Sequence, residues 1–386
     1  MKVIIAPDSY KGSISAKEIC LAIENGITNV FPQAEIHCIP LADGGEGTLE
    51  SMVFASHGTL TTIPVNDPLG KEIKASYGIL GDRETVIIEM AQASGLPLVK
   101  PQERNPYIAS SFGTGQLIKH ALDAGYRKFI IGLGGSATND AGTGMLMALG
   151  LKLYDEQGEL LPQGGGYLSQ LARYDDSGLD PRLAESTFTV ASDVVNRLCG
   201  PEGASAIFGP QKGATEAMVT HLDQSLSHFA DIVFQQRGVD MKSMTGGGAA
   251  GGMGAALITF LGAAFEPGIQ VVMNALDFEK HLYDADLIIT GEGKLDAQTL
   301  SGKVIAGVAK LAQSYHVPVV ALCGGMDVKP VQFDQLGILS AFSIVPGPCS
   351  LEESMSHSSS WMIERTESLM RVIHYFINRE GTKIEA

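Results

Sequence analysis

Apolar segments that end on glycine-rich, polar turns are the feature that most limits how this chain folds. Four such turns follow apolar runs, at residues 8–13, 43–48, 132–144 and 290–296. Glycine accounts for 46 of the 386 residues, against a typical share of ~7%, so the backbone must approach other groups closely in many places. In a parallel α/β sheet, turns of this kind lie at the carboxyl ends of strands, where such folds bind ligands.

The order of predicted elements indicates an α/β protein with a parallel sheet. Residues 2–6 and 34–41 are predicted strands, separated by a serine-capped helical pattern that makes a β-α-β unit. The same alternation returns after residue 285, and a long final helix is predicted over residues 350–378. Fully apolar strands between helices predict a sheet that is covered on both faces.

The middle of the chain follows a different pattern. Short alternating segments over residues 60–89 predict β-hairpins, and residues 246–262 predict a glycine- and alanine-rich helix. We therefore predict two domains. One is a discontinuous three-layer α/β domain, flavodoxin-like or Rossmann-like, built from residues 1–62 and 280–386. The other is an inserted mixed α/β domain over residues 63–279.

The charge balance argues against a nucleic-acid-binding surface. Lys and Arg total 27 against 43 Asp and Glu, a net charge of −16, whereas a phosphate backbone needs a basic stripe. The five cysteines include no CxxC pair, which is typical of reduced thiols in a cytoplasmic protein. The first apolar run is too short for a signal peptide, and the sequence predicts no membrane span. We therefore expect a cytoplasmic location, with no nucleic-acid or membrane partner.

The first two turns place charged side chains next to glycines. The polar residues that they offer to a ligand are Asp8, Ser9, Lys11, Ser13, Asp43 and Glu46. A lysine beside the unpaired N–H groups of a helix start suits a phosphate or a carboxylate, and two carboxylates in one turn suit Mg²⁺ or a proton. Helix capping by Asp43 and a solvated lysine would also explain these turns, and the residues alone leave that alternative open.

The two later turns predict contacts to phosphate and metal. Residues 132–144 are so dense in Gly, Ser and Thr that they favour a polyphosphate-binding loop over a plain tight connection, with Asp140 placed to hold a metal ion. In the turn at residues 290–296, Glu292 and Asp296 suit a metal, while Lys294 or Lys303 suits phosphate oxygens. Four exposed charges at a helix start are the alternative interpretation. We expect the turns to lie close together in space.

Nine motifs follow one another along the chain: APDSYKGS, PLADGGEGT, EMAQASGL, SSFGTGQLI, IGLGGSATNDAGTGM, DVVNRLCG, GPQKGA, GGGAAGGMGAAL and DLIITGEGKLDAQTLSGKV. This collinear series closely resembles the type I glycerate kinase family over essentially the whole chain. The resemblance implies phosphoryl transfer from ATP to a hydroxyl of D-glycerate with Mg²⁺, on a two-domain α/β architecture. Its favoured product is 2-phosphoglycerate rather than 3-phosphoglycerate.

Phosphoryl transfer depends mostly on alignment and charge stabilisation, which suggests a role for each turn. Lys11 is predicted to neutralise the transferring phosphate, and Asp8 or Asp43 to orient or deprotonate the glycerate hydroxyl. The predicted nucleotide contacts are Gly134, Gly135, Ser136, Thr138, Asn139, Thr143, Gly291, Gly293 and Lys294. The predicted glycerate contacts are Ser9, Ser13, Glu46, Asp193 and Asn196. The predicted Mg²⁺ ligands are Asp193, Glu292 and Asp296.

Two other classes of function stay open. A nicotinamide-dependent oxidoreductase also uses glycine turns at strand ends, but it needs a GxGxxG opening the first helix, which this chain lacks. A nucleotide sensor without catalysis would keep the phosphate turns and lose the carboxylates, which are all present here. Release of ADP on addition of D-glycerate and MgATP separates a kinase from both.

Overall fold

The computed structural model describes residues 1–296, Thr299 and residues 304–383, so Lys303 lies outside the described residues. The strands are β1 (Lys2–Ile5), β2 (Glu35–Cys38), β3 (Thr59–Asn66), β4 (Glu72–Ile79), β5 (Thr85–Glu89), β6 (Lys128–Gly132), β7 (Lys152–Tyr154), β8 (Arg173–Asp175), β9 (Thr187–Ala191), β10 (Ala264–Glu266), β11 (Leu287–Leu295), β12 (Val319–Met326) and β13 (Ser340–Ser343). The helices are α1 (Ala16–Thr28), α2 (Thr48–Ala55), α3 (Ala91–Ser94), α4 (Phe112–Asp123), α5 (Thr143–Ala148), α6 (Ala204–Phe208), α7 (Glu216–Arg237), α8 (Ala249–Leu261), α9 (Gly268–Ala275), α10 (Phe278–Leu282), α11 (Val304–Ser314), α12 (Val331–Leu336), α13 (Leu351–Ser356) and α14 (Ser358–Lys383).

The chain divides into two compact units. Unit 1 comprises Met1–Asp43, Glu50–Ala55 and Val272–Ala386, and unit 2 comprises Gly44–Leu49 and Ser56–Val271. The boundary predicted at residue 62 falls inside β3. Because all of β3 pairs with β4, this strand belongs entirely to unit 2. Among the described residues, no helix combines the length and the apolar character that a membrane crossing requires.

Unit 1 is built on a parallel five-stranded sheet in the order β13-β12-β11-β1-β2. Counted along the chain, its strands lie in the order 2-1-3-4-5, which is the flavodoxin-like arrangement. Val3, Ile4 and Ile5 are all fully buried. Successive side chains of a strand point to opposite faces, so both faces of the sheet are covered. The predicted parallel α/β fold is confirmed.

Helix α1 packs against α14 in unit 1, and Gly26 makes this approach possible. A Cβ atom on Gly26 would lie 2.6 Å from Thr366 Cβ and 2.8 Å from Ile363 O. Ser15 caps the start of α1, because its side chain accepts a hydrogen bond from the backbone N–H of Glu18. The glycine therefore costs α1 some helix propensity but permits the two backbones to approach.

The final helix is predicted as one element, but the chain forms two helices there. Helix α13 ends at Ser356, and α14 begins at Ser358. Serine side chains bond back to the helix backbone at this junction, with Ser358 Oγ donating to Ser354 O at 2.8 Å. Such local hydrogen bonds compete with a regular helix, which explains the break.

Unit 2 contains a mixed six-stranded sheet in the order β10-β9-β6-β5-β4-β3. Strands β10, β9, β6 and β5 run parallel, whereas β3 and β4 form the predicted antiparallel hairpin. The carboxyl ends of β5, β6 and β9 therefore meet at one edge of this sheet, in agreement with the predicted mixed α/β fold.

The glycine-rich helix of unit 2 is shorter than the predicted range of 246–262. Helix α8 begins at Ala249, and Ala250, Gly251 and Gly252 have φ of 50°, 67° and 97°. A Cβ atom on Gly251 would lie 2.1 Å from Thr138 O. The left-handed turn at the start of α8 thus lets its backbone touch the loop that follows β6.

Candidate active site

Unit 1 has a cavity of about 830 Å³ at the carboxyl end of its parallel sheet. It lies at the turn after β1 and the ends of β11 and β12. Strands β1 and β11 are neighbours at which the strand order reverses, and such a switch point is the usual ligand site of this architecture. The charged residues that line the cavity are Asp8, Lys11, Asp43, Glu292, Lys294, Asp296 and Asp327. Within unit 1, the predicted turns do lie together.

Asp8 is the buried carboxylate of this cavity, with 7% of its surface exposed. Burial raises the pKa of Asp8 to about 7, and the charges of Asp43 and Glu292 act in the same direction. The hydrogen bond from Ser9 N–H and the charge of Lys11 oppose this rise in pKa. A carboxyl group that titrates near neutral pH suits a general base.

Glu292 and Lys294 lie near the end of β11 and face the cavity with different exposure. Glu292 is 8% exposed and accepts a hydrogen bond from the hydroxyl of Thr299. Lys294 Nζ lies 3.8 Å from Asp296 Oδ2 and 3.9 Å from Asp327 Oδ2, and its side chain is exposed. Exposed ion pairs of this length contribute little to stability, so the lysine can exchange its partners for an anionic ligand.

Of the remaining predicted site residues of unit 1, some line the cavity and one does not. Ser9, Ser13 and Gly293 line the cavity, whereas Gly291 does not. Gly291 is instead a packing residue, because its carbonyl accepts from Asp8 N–H at 2.8 Å and a Cβ atom would lie 2.0 Å from Leu322 O. The Ser13 hydroxyl is within hydrogen-bonding distance of Met355 O and Ser358 Oγ, at 3.1 and 2.7 Å.

In unit 2, two predicted turns, at residues 43–48 and 132–144, meet beside the carboxyl end of β9. The N–H of Gly134 donates to Gly44 O at 3.4 Å, and a Cβ atom on Gly134 would lie 2.6 Å from Gly45 Cα. A Cβ atom on Gly44 would lie 2.4 Å from Ala191 O at the end of β9. Glycines therefore allow the turn at residues 44–47 to touch both the loop after β6 and the end of β9.

The loop after β6 exposes only its tip. Gly135 is exposed and Gly134 is half-buried. The other predicted nucleotide contacts in this loop have buried side chains: Ser136, Thr138, Asn139 and Thr143. One of them, Asn139, donates from Nδ2 to Ser205 Oγ at 2.8 Å. These side chains fix the shape of the loop, and Gly134 and Gly135 are the residues that a solvent-borne ligand reaches.

Asp140, which the sequence predicts as a metal ligand, anchors this loop in the structure. Its side chain is fully buried. Its Oδ2 accepts from the N–H and the hydroxyl of Ser111 at 2.9 and 2.7 Å and from Gly144 N–H at 3.2 Å, and its Oδ1 accepts from Gly142 N–H at 3.1 Å. Both oxygens are thus engaged inside unit 2. Burial raises the pKa of Asp140, and the hydrogen bonds oppose that rise.

The predicted glycerate contacts of unit 2 lie on the adjoining turns. Glu46 and Asp193 are exposed, and Asn196 is half-buried. Asp193 Oδ1 accepts from Gly268 N–H at 3.0 Å, at the start of α9, and Asn196 Nδ2 donates to Glu202 O at 2.9 Å.

The first turn of α2 is bonded to Glu89, because Glu89 Oε1 accepts from Leu49 N–H at 2.9 Å.

Lys212 is a buried residue of unit 2 whose role its sequence pattern does not reveal. It is 2% exposed, and its Nζ donates to Ser136 Oγ at 2.9 Å and to Thr138 O at 2.7 Å. Its sequence signal is a lysine between a Pro-Gln pair and Gly213, whose φ is +93°. This pattern indicates a tight turn, but it does not say that the lysine points inward.

A comparison with protein families decides the identity. Residues 3–374 match the model of the glycerate kinase family. The chain belongs to the glycerate kinase family. Its members are kinases that transfer a phosphoryl group from ATP to a hydroxyl of glycerate, and this chain is such an enzyme.

Similar proteins cover nearly the whole chain. It is 51% identical to a glycerate kinase of Bacillus subtilis (strain 168) over 366 residues, which are 95% of this chain and 96% of that protein. It is 50% identical to the glycerate 2-kinase of Escherichia coli (strain K12) over 354 residues, 92% and 93% of the two chains. A crystal structure assigned as glycerate kinase 2 from Salmonella typhimurium LT2 matches with a TM-score of 0.89 and 47% identity, covering 98% of this chain and 99% of that one.

The donor set of the unit 1 cavity fits the Mg²⁺ that accompanies ATP in kinases. Mg²⁺ is a hard cation that prefers oxygen ligands, and it commonly takes one or two carboxylates together with water and substrate phosphates. Among the described residues, no three His, Cys, Asp or Glu side chains are arranged to hold a metal ion. The cavity offers Glu292 and Asp296 to such a partly substrate-held ion, whereas Asp193 belongs to unit 2.

Proposed function

We propose that the chain is a type I glycerate kinase, which transfers the terminal phosphoryl group of MgATP to the 2-hydroxyl of D-glycerate. The main support is the unit 1 cavity, where the buried carboxylate of Asp8 and the exposed amine of Lys11 line one space. The 2-hydroxyl is favoured because the relative from Escherichia coli carries the name glycerate 2-kinase.

Asp8 is the proposed general base. Its burial holds its pKa near neutral pH, so at working pH it can accept the proton that the attacking hydroxyl loses. Asp43 acts through its charge, which contributes to the raised pKa of Asp8. The choice between these two carboxylates, which the sequence leaves open, thus favours Asp8. Ser9 and Ser13, which line the same cavity, are proposed to contact glycerate.

Lys11 is the proposed cation for the transferring group. Charge spreads over the phosphoryl oxygens during transfer, and a fixed cation stabilises it most in a site that excludes water. Lys294 and Gly293 are proposed to hold phosphates in unit 1, and Gly134 and Gly135 are proposed to do so in unit 2. Glu46, Asp193 and Asn196 remain proposed glycerate contacts, with Asp193 also a proposed metal ligand.

Glu292 and Asp296 would hold Mg²⁺ in unit 1. When bound, the ion would neutralise charge on the ATP phosphates and help to align them. Thr299 supports this assignment, since its hydroxyl donates to Glu292 and fixes the carboxylate.

Phosphorus NMR of the product tests the proposed reaction. With D-glycerate and MgATP, we expect ADP and a single new phosphate ester whose signal matches authentic 2-phosphoglycerate. The spectrum of 3-phosphoglycerate serves as the reference for the other hydroxyl. A signal of the 3-ester would correct the regiochemistry alone, whereas ATP binding without ADP release would contradict the kinase and favour a nucleotide sensor.

Substitution of Glu292 tests the metal site. The variant Glu292→Gln keeps the size of the side chain, and we expect it to raise the Mg²⁺ concentration for half-maximal activity about tenfold or more. The titration is run at about pH 8.5, because the charge of Glu292 raises the pKa of Asp8 and its loss lowers that pKa. Above the pKa of about 7, Asp8 is ionised in both proteins.

The matched control is Glu352→Gln on α13, an exposed carboxylate that does not line the cavity. It should leave the Mg²⁺ requirement unchanged. An unaltered Mg²⁺ requirement in Glu292→Gln would remove Glu292 from the metal site without affecting the assignment of Asp8.

A further inference from the structure

Lys212 is a buried lysine that the proposed mechanism does not use. It closes a short turn in unit 2, Pro210–Lys212, and is 2% exposed. The next residue, Gly213, has φ of +93°, and a Cβ atom there would lie 2.6 Å from Arg104 O. A side chain at position 213 would disturb this turn, so the glycine helps to hold the direction in which Lys212 enters the interior.

The ammonium group of Lys212 bonds to two points of the loop after β6. Its Nζ donates to Ser136 Oγ at 2.9 Å and to Thr138 O at 2.7 Å. Burial lowers the pKa of Lys212 to about 7, and the charge of Asp140 opposes this. A lysine that only filled space could be replaced by an apolar side chain without the cost of desolvating an amine. Its two hydrogen bonds to one loop therefore indicate a more specific task.

The contacts of Lys212 fall directly beside the exposed tip of this loop. Ser136 follows Gly135, the exposed residue, whose φ is +70°. Ala137, between the two points that Lys212 holds, donates its N–H to Ser94 O at 2.9 Å, and Gly135 O accepts from Leu96 N–H at 2.8 Å. Hydrogen bonds from Leu96 and Ala137 thus hold one side of this loop, and the amine of Lys212 holds Ser136 and Thr138.

The surroundings of Lys212 are polar but incompletely bonded. Thr138 Oγ1 and Asn139 Oδ1 are buried without a hydrogen-bond partner among the described residues. Such groups weaken a loop unless other contacts hold it, because a buried polar atom without a partner is costly. The two hydrogen bonds of Lys212 therefore help to offset this cost.

We propose that Lys212 is a positioning residue for nucleotide binding, which holds residues 136–138 so that the Gly134–Gly135 tip is shaped to receive ATP phosphates. This inference rests on the proposed function of that tip. Lys212 contacts no substrate in this scheme. It acts through the loop, and its effect should therefore appear in the affinity for ATP and not in the affinity for glycerate.

The test replaces Lys212 with methionine, which keeps most of the side-chain volume and removes the amine. We expect the KM for ATP to rise about tenfold, while kcat and the KM for glycerate stay within about twofold of the parent enzyme. Ser136→Ala should shift the KM for ATP in the same direction by less. In the double variant the two effects should not add, because both changes remove one shared contact. Lys242→Met is the control, since Lys242 pairs with Asp231 at the surface of unit 2.

A merely structural role would give a different result. In that case Lys212→Met would lower the thermal midpoint and the fraction of active enzyme, with the KM for ATP of the remaining enzyme unchanged, and the inference would be overturned. Where Lys212→Met does not fold, Ser136→Ala decides: an unchanged KM for ATP in that variant also overturns it.

A pair of variants at Gly135 separates this inference from the proposed function. Asn and Asp both tolerate positive φ, so Gly135→Asn and Gly135→Asp differ mainly in charge. If the tip receives phosphates, the aspartate should raise the KM for ATP well above that of the asparagine variant. Equal KM values in this pair would refute the assignment of the tip to ATP. A difference in this pair, together with a normal KM for ATP in Lys212→Met, would refute the role of Lys212 alone.

Discussion

Replacing Lys11 with alanine is expected to lower kcat by about two to three orders of magnitude while the fold stays intact. Lys11 is exposed and lines the unit 1 cavity, so its loss leaves no buried hole and no unpaired partner in the core. What it removes is the proposed cation for the transferring phosphoryl group, where charge develops during the reaction. Steady-state kinetics with saturating ATP and glycerate, together with a thermal melt, measure both parts of this expectation.

Two further variants make the result specific to Lys11. Lys310→Ala, at an exposed position on α11 in the same unit, should leave kcat unchanged. Lys11→Arg keeps the charge and should retain more activity than the alanine variant, although its geometry differs. The charge of Lys11 also lowers the pKa of Asp8, so the residual activity of Lys11→Ala should need a higher pH. A near-normal kcat in Lys11→Ala would show that the assigned role is wrong.

The residues at the strand ends of unit 1 could be predicted from the sequence. Apolar strands followed by charged glycine turns place Asp8, Lys11 and Glu292 at one edge of a parallel sheet, because parallel strands bring their carboxyl ends together. In the structure these residues line one cavity at that edge, and the structure adds the order of the strands in the sheet. That order depends on which strands pair, a long-range property that local patterns do not contain.

The direction of each side chain in the glycine-rich loop could not be predicted. Polar residues such as Asp140 and Thr138 have the composition of a ligand site, yet both are fully buried. Distant parts of the chain surround them: Gly251 in the left-handed turn of α8 brings its backbone to the carbonyl of Thr138, and Ser111 donates to Asp140. The inward direction of Lys212 could not be predicted either. Most lysines are exposed, so a sequence gives little reason to expect a buried one.

Asp8→Asn is expected to lower kcat by about 10²–10⁴-fold and to stabilise the protein. The amide cannot accept the proton of the glycerate hydroxyl, but it fits the same space. In the parent enzyme, kcat/KM should rise with pH as Asp8 ionises, with a midpoint at the pKa of about 7, and level off at higher pH. A bound cation near Glu292 would favour the carboxylate, so with Mg²⁺ present the midpoint should lie at or below that value. The variant should lose this pH-dependent rise.

The gain in stability follows from the sign of the pKa shift. The pKa of Asp8 is raised in the folded protein, so the folded state holds this proton more tightly than the unfolded chain. Its contribution to stability is complete below about pH 4 and is lost as pH rises to about 7. In Asp8→Asn this loss is absent. At pH 8 without metal, the thermal midpoint of Asp8→Asn should therefore lie above that of the parent enzyme, by about 2–4 °C for each kcal/mol by which the free energy of unfolding is larger.

Activity and stability together test the assignment of Asp8 more sharply than either alone. A variant that only damages packing lowers both activity and stability, whereas removal of a buried catalytic carboxylate lowers activity and raises stability. Asp284→Asn, at an exposed carboxylate of unit 1 that does not line the cavity, should change neither. If Asp8→Asn kept its kcat, the proton would have to go to another acceptor, and the matching variant of Asp43 would be the next to measure. If it lost both activity and stability, Asp8 would hold the turn after β1 in place, and the general base would have to be sought elsewhere.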